Sequence, residues 1–133
     1  MKYLIDTCVL SDFVKGNLNT IRKITEIDPI DLAISAITIM EIQYGILLVP
    51  GQKSTSIKNI IDELVKTINV IVLDKEVALQ ASSIRAKLHN AGTPIGSYDV
   101  LIAATAKHHN LIMVTANTKE FERISDLRVQ NWR

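Results

Sequence analysis

Short apolar runs alternate along the chain with longer segments in which apolar residues recur at helical spacing. Tyr3-Leu4-Ile5, Leu32-Ala33-Ile34, Val70-Ile71-Val72-Leu73 and Leu111-Ile112-Met113-Val114 have the length and the branched content of buried strands. A last strand is expected near residues 127–129. The spacing predicts helices over 7–14, 19–27, 38–48 and 56–68, from 74 or 75 to about 90, and from Ser97 onward. In the fourth of these Ile57, Ile60, Ile61, Leu64, Val65 and Ile68 form one stripe, with Lys58, Asp62, Glu63 and Lys66 on the opposite face. Gly16, Asp28-Pro29, Pro50-Gly51 and Gly92-Thr93-Pro94 supply the stops. A loop at Asn117 and a short helical turn through Phe121 follow the fourth run. Strands alternating with helices predict an α/β fold, a central and mostly parallel sheet flanked by helices on both faces. Without repeats or linkers, residues 1–133 read as a single domain.

Three acids break this pattern by standing among apolar residues: Asp6, Glu41 and Asp99. Asp6 ends the first strand just before a helix, where open α/β sheets place ligand sites. Asp99 falls in the first turn of a helix, capped by Ser97, that is apolar on nearly every face. No basic residue lies within seven positions of it. Each acid also has a structural explanation. Asp6 or Thr7 caps the first helix, Thr38-x-x-Glu41 has the form of a capping box, and Asp99 complements a helix dipole. Together, though, they point to one sheet edge, which Val114-Thr115-Ala116-Asn117 also reaches. Carboxylates gathered there repel one another unless a proton or a cation neutralises them. All-oxygen donors suit Mg²⁺, with Mn²⁺ as a substitute, better than Zn²⁺. A metal held by carboxylates activates water and clamps a phosphoryl group.

Composition narrows the classes. A formal net charge of +1 over 133 residues leaves nucleic-acid binding to local patches and metal rather than to a global field. The single cysteine, Cys8, allows no internal disulfide and reads as packed; a reducing, cytoplasmic setting is expected. The first residues do not form a signal peptide, and no run is long enough for a membrane span. Phosphate-binding glycine motifs are absent. His89, His108 and His109 fall at helix ends and read as surface residues or as partners of the helix C-terminal dipoles rather than as catalysts. Gly45, one turn beyond Glu41, reads equally as room for a substrate or a neighbouring element and as a packing accommodation.

The segments Tyr3-Leu4-Ile5-Asp6-Thr7, Thr38-Ile39-Met40-Glu41-Ile42, Ser97-Tyr98-Asp99-Val100-Leu101-Ile102-Ala103-Ala104 and Val114-Thr115-Ala116-Asn117-Thr118-Lys119-Glu120-Phe121 together resemble the PIN-domain family. They look most like the VapC toxins of bacterial type II toxin–antitoxin systems. The resemblance runs from residue 3 to about 132. It implies an Mg²⁺-dependent endoribonuclease with Asp6 and Asp99 as metal ligands and Glu41 completing the cluster. Water on the metal would cut an RNA phosphodiester, possible targets including tRNA, to leave a 5′-phosphate and a 3′-hydroxyl. It also implies a homodimer held inactive by a cognate VapB-type antitoxin, whose tail covers an apolar groove lined by the Thr38 and Ser56 helices. Three positions depart from the family pattern. Asn117 stands where a fourth acid is common; it would still offer an oxygen or orient a water, and Glu120 would restore the charge from the next turn. Cys8 and Ala116 stand where asparagine is frequent. Thr115 keeps a hydroxyl behind the ligands. Lys15, Arg22, Lys23, Arg85, Lys87 and Lys107 are candidates for RNA phosphate contacts, although each also reads as part of a solvated helix face.

Two other functions fit parts of the pattern. One is a catalytically inactive PIN-like module that only binds partners, for which three clustered carboxylates have no physical need. The other is a phosphatase with Asp6 as nucleophile; the usual second acid two residues on is here Cys8.

Overall fold

The computed structural model describes residues 1–133. In chain order the elements are β1 (Tyr3–Ile5), α1 (Thr7–Val14), α2 (Leu18–Glu26), a 3-10 turn (Pro29–Asp31), β2 (Leu32–Ser35), α3 (Ala36–Leu48), α4 (Gln52–Val65), β3 (Asn69–Ile71), α5 (Lys75–Asn90), α6 (Ser97–His108), β4 (Ile112–Val114), α7 (Thr118–Phe121) and β5 (Val129–Gln130). The strands form one sheet in the order β3-β2-β1-β4-β5. Every pairing is parallel, so the expected mostly parallel sheet is wholly parallel.

Alternation along the strands sorts their side chains onto two faces. Leu4, Ala33 and Met113 join a core with Val77, Ile84 and Leu88 of α5, most of α6, and Phe121. Ile5, Leu32, Ile34 and Val114 join the opposite core with Val9 and Leu10 of α1, Ile24 of α2, Ile61 of α4 and Trp132. The short apolar runs are continuous because both faces are covered. Trp132 closes the second core by stacking edge-on against Tyr3, ring centres 5.2 Å apart.

Several boundaries differ from the sequence expectation. Ser35, not Thr38, caps α3, its Oγ accepting the Thr38 N–H at 3.0 Å. The Thr38-x-x-Glu41 capping box therefore does not form, and Glu41 sits in the second turn rather than the first. Gly96, not Ser97, is the N-cap of α6. The α4 helix begins at Gln52 after Gly51, whose φ of 71° suits glycine. The β3 strand is Asn69–Ile71, leaving Val72 and Leu73 exposed. Its start is fixed by the Asn69 amide, which donates at 2.9 Å to both Ile30 O and Leu32 O. The β5 strand falls at Val129–Gln130 because its register is set by pairing with Met113 and Val114.

The strand order reverses direction around β1. The chain moves outward from β1 to β2 and β3, then returns to the other side for β4 and β5. A crevice opens at the carboxyl ends of the strands where such a reversal occurs. Asp6 follows β1 there, and Thr115 follows β4.

Candidate active site

Asp6 is 5% exposed, and its carboxylate is held from three directions. One oxygen accepts the Thr7 N–H at 2.9 Å, which makes Asp6 the N-cap of α1. The other accepts the Thr115 hydroxyl at 2.8 Å and the Cys8 thiol at 3.4 Å. Thr115 Oγ1 in turn accepts the Asn117 N–H at 3.0 Å, and Cys8 Sγ accepts the Ala116 N–H at 3.4 Å. The loops after β1 and β4 are thus tied together around one carboxylate. Cys8 is more than packed: it is a strut between the two loops. Burial, followed by the Asp6 charge, holds its thiol above the ordinary range, so it stays a neutral donor.

Glu41 arrives from α3. Its Oε1 accepts the Thr7 hydroxyl at 2.7 Å, and Thr38 Oγ1 lies 3.3 Å from both Thr7 Oγ1 and Ser35 Oγ. Thr7, which the sequence offers only as a capping alternative, therefore joins the first acid to the second. Asp99 stands at the third position of α6. A Cβ on Gly96 would come within 3.3 Å of Asp99 Oδ2, so that glycine leaves the space in which the carboxylate lies. Asn117 caps α7 and turns its amide to Glu120, donating to Oε2 at 2.9 Å.

The Asp99 pKa shows which charges share the crevice. It is pushed up to about 7, first by burial, then by the charge of Asp6, by a hydrogen bond to and the charge of Glu120, and by the charge of Glu41. Four carboxylates from four elements thus face one another. The ion pairs of the molecule, Lys58–Asp62, Lys66–Glu63 and Arg133–Asp12, lie elsewhere. All of these donors are oxygens, their charge is uncompensated by lysine or arginine, and this is the chemistry a hard divalent cation satisfies. No three of them converge on one point at ligating distance.

The six basic candidates scatter. Lys15 borders an apolar groove, Lys87 and Lys107 border a cavity at the opposite end of the sheet, and Arg22, Lys23 and Arg85 are largely solvated. The groove, about 650 Å³, runs between α1, α3 and α4 and is lined by Val14, Ile42, Gly45, Ile46, Ile57 and Ile60. These are the two helices expected to line it, with α1 as an unforeseen third wall. No sequence signal announces the Arg133–Asp12 pair, in which the Arg133 guanidinium donates to both Asp12 oxygens at 2.8 and 3.1 Å.

A parallel sheet reversing at β1, with an acidic cluster at its carboxyl edge, defines the class. The chain belongs to the PIN-domain family, whose model matches residues 3–127. Within it the chain is of VapC type. It is 32% identical over 135 residues to the tRNA(fMet)-specific endonuclease VapC of Salmonella typhimurium, covering 99% of this chain and 98% of that one. The fold matches the Rickettsia felis VapBC2 complex bound to a promoter DNA fragment with a TM-score of 0.89 at 26% identity, over 100% of both chains. It matches DNA-bound VapBC from Salmonella typhimurium with a TM-score of 0.88 at 31% identity, over 100% and 99%. No helix is long and apolar enough to cross a membrane.

Proposed function

We propose that this protein is the ribonuclease toxin of a VapBC-type toxin–antitoxin pair, an endonuclease that hydrolyses RNA phosphodiesters with Mg²⁺ held by Asp6, Asp99 and Glu41. The observation that carries the reading is the meeting of Asp6, Glu41, Asp99 and Glu120 in a crevice where Asp99 is pushed up to about 7. A fold has no structural use for such mutual repulsion, and a cation removes it. Bound there, Mg²⁺ would supply Lewis-acid activation of water and neutralise charge building on the phosphate.

The rest of the work falls to the chain. Thr7, Thr115 and Cys8 fix the Asp6 carboxylate before any ligand arrives, which lowers the ordering cost of binding at that residue. Thr7 also fixes Glu41, which leaves the second Glu41 oxygen free for the site. Asn117 holds Glu120 at the rim and adds a neutral amide where the family often has a fourth charge. Mn²⁺ would substitute, since the donor set does not discriminate strongly between hard cations. The relative that acts on tRNA(fMet) makes tRNA the first substrate to try.

The VapBC complexes among the structural neighbours support a VapB-type antitoxin as partner. The apolar groove between α1, α3 and α4 is the surface an antitoxin segment would cover. Met40, Tyr44, Leu47 and Leu48 share the outer face of α3 and are exposed, an uncovered stripe that favours a homodimer. A phosphatase with Asp6 as nucleophile fits poorly, because the second acid expected two residues on is Cys8, whose thiol is held above its ordinary range by burial and the Asp6 charge.

The test is cleavage of end-labelled tRNA and total RNA by protein freed of any partner, in Mg²⁺, Mn²⁺ and EDTA, with Asp99→Asn beside wild type. Discrete products lost in EDTA and in the variant are expected. Cleavage that survives in the variant would overturn the site assignment, and no cleavage by folded, metal-loaded protein would favour the inactive binding module.

A further inference from the structure

An acidic crevice repels the substrate it is meant to cut, so an RNA needs a cationic footing elsewhere on the molecule. One hollow offers it. At the end of the sheet opposite the carboxylates, α5, α6 and the segment after α7 enclose a cavity of about 190 Å³. Lys87, Lys107, Arg123 and Ser125 form its rim, and Leu88 and Ile124, both buried, its floor. None of the three cations takes part in the ion pairs of the molecule.

Lys87 and Lys107 stand in the last turns of α5 and α6, where helix dipoles account for a positive charge. Arg123 does not share that explanation. It comes from a third element, and its guanidinium is anchored by donating to Pro94 O at 3.2 Å, which leaves other N–H groups free. Lys107 is only partly exposed. Three uncompensated cations and a hydroxyl around one hollow match the oxygens of a phosphate group.

We propose that this cavity is a phosphate-backbone exosite for the RNA substrate, separate from the cleavage crevice; the proposal rests on the ribonuclease reading. The α6 helix connects the two places. Asp99 lies in its first turn and Lys107 in its last, about 12 Å apart along the axis at 1.5 Å per residue. A few nucleotides or a folded RNA span that distance, whereas a dinucleotide does not. The exosite therefore favours long or structured RNA over short fragments and adds affinity without reading base sequence.

The experiment measures equilibrium binding of labelled, unfractionated tRNA, with Mg²⁺ present, to the full chain carrying Asp99→Asn so that cleavage does not interfere. The comparison is the same chain with Lys87→Gln and Lys107→Gln added. At low salt the added pair should weaken binding about tenfold or more. It should also make the slope of log affinity against log salt shallower by about 1.4–1.8, the loss of two phosphate contacts. Lys87→Arg with Lys107→Arg should restore binding. Unchanged affinity and slope would overturn the exosite, as would equal loss in the arginine pair, which would mean a structural fault. If wild-type protein cleaves RNA while the glutamine pair binds normally, only the exosite falls; if wild type cleaves nothing, the ribonuclease reading falls and the exosite with it.

Discussion

Asparagine in place of Asp99 should make the metal-free protein more stable at pH 8. The Asp99 carboxyl is pushed from 3.8 to about 7 by burial and by Asp6, Glu120 and Glu41. At about 1.4 kcal/mol for each tenfold step that shift corresponds to roughly 4 kcal/mol. The group is partly exposed, and solvent screening brings the figure to about 1–2 kcal/mol. The sign follows from proton binding. Between pH 4 and 7 the folded protein holds a proton that the unfolded chain has lost, so stability falls as pH rises through that window. The penalty is complete above about pH 7 and absent below about pH 4. The substituted amide carries no charge and keeps the shape of the carboxyl. In EDTA at pH 8 the Asp99→Asn protein should melt about 4–8 °C higher than wild type, and the gap should shrink steadily toward pH 5. Adding Mg²⁺ at pH 8 should raise the wild-type melting temperature and leave the variant nearly unmoved. A variant that melts at or below wild type in EDTA at pH 8 would refute the argument, since the carboxylates would then not be repelling one another.

Thr115→Val removes the hydroxyl that serves Asp6 Oδ2 and the Asn117 N–H with little change of shape; a loss of about 1–3 kcal/mol in denaturant unfolding and weaker Mn²⁺ binding by titration calorimetry are expected. Trp132→Ala opens the second core beneath Tyr3 and should cost about 3–5 kcal/mol, read from the denaturation midpoint. Gly45→Ala meets no heavy atom within 4 Å and should raise stability by up to about 1 kcal/mol. Gly45→Leu should fold equally well while failing to co-purify with a co-expressed antitoxin, because its side chain enters the groove.

The fold was legible wherever burial wrote itself into the sequence. The runs at β1, β2 and β4 are apolar at every position because both faces are covered. The termini of β3 and β5 were not legible, since pairing rather than composition ends them: Asn69 belongs to a strand because its side chain reaches across to Ile30 and Leu32. Asp6, Glu41 and Asp99 stood out as charges in apolar surroundings. What stayed hidden were the links made over long separations. Thr7 meets Glu41 across 34 residues, and Cys8 meets Ala116 across 108; no local spacing signals either contact. Glu120 was visible only as a substitute for Asn117, whereas the structure has the two side chains bonded to each other.

The strand order has a consequence for timing. The β1 strand is the first to leave the ribosome, yet its partner β4, and Thr115, which braces Asp6 from that side, come from the last fifth of the chain. At ~5–20 residues per second, roughly 6–25 s separate the synthesis of Asp6 from that of Trp132. During that interval neither the crevice nor the second core is complete. The acidic crevice is therefore assembled only once the last fifth of the chain has been made.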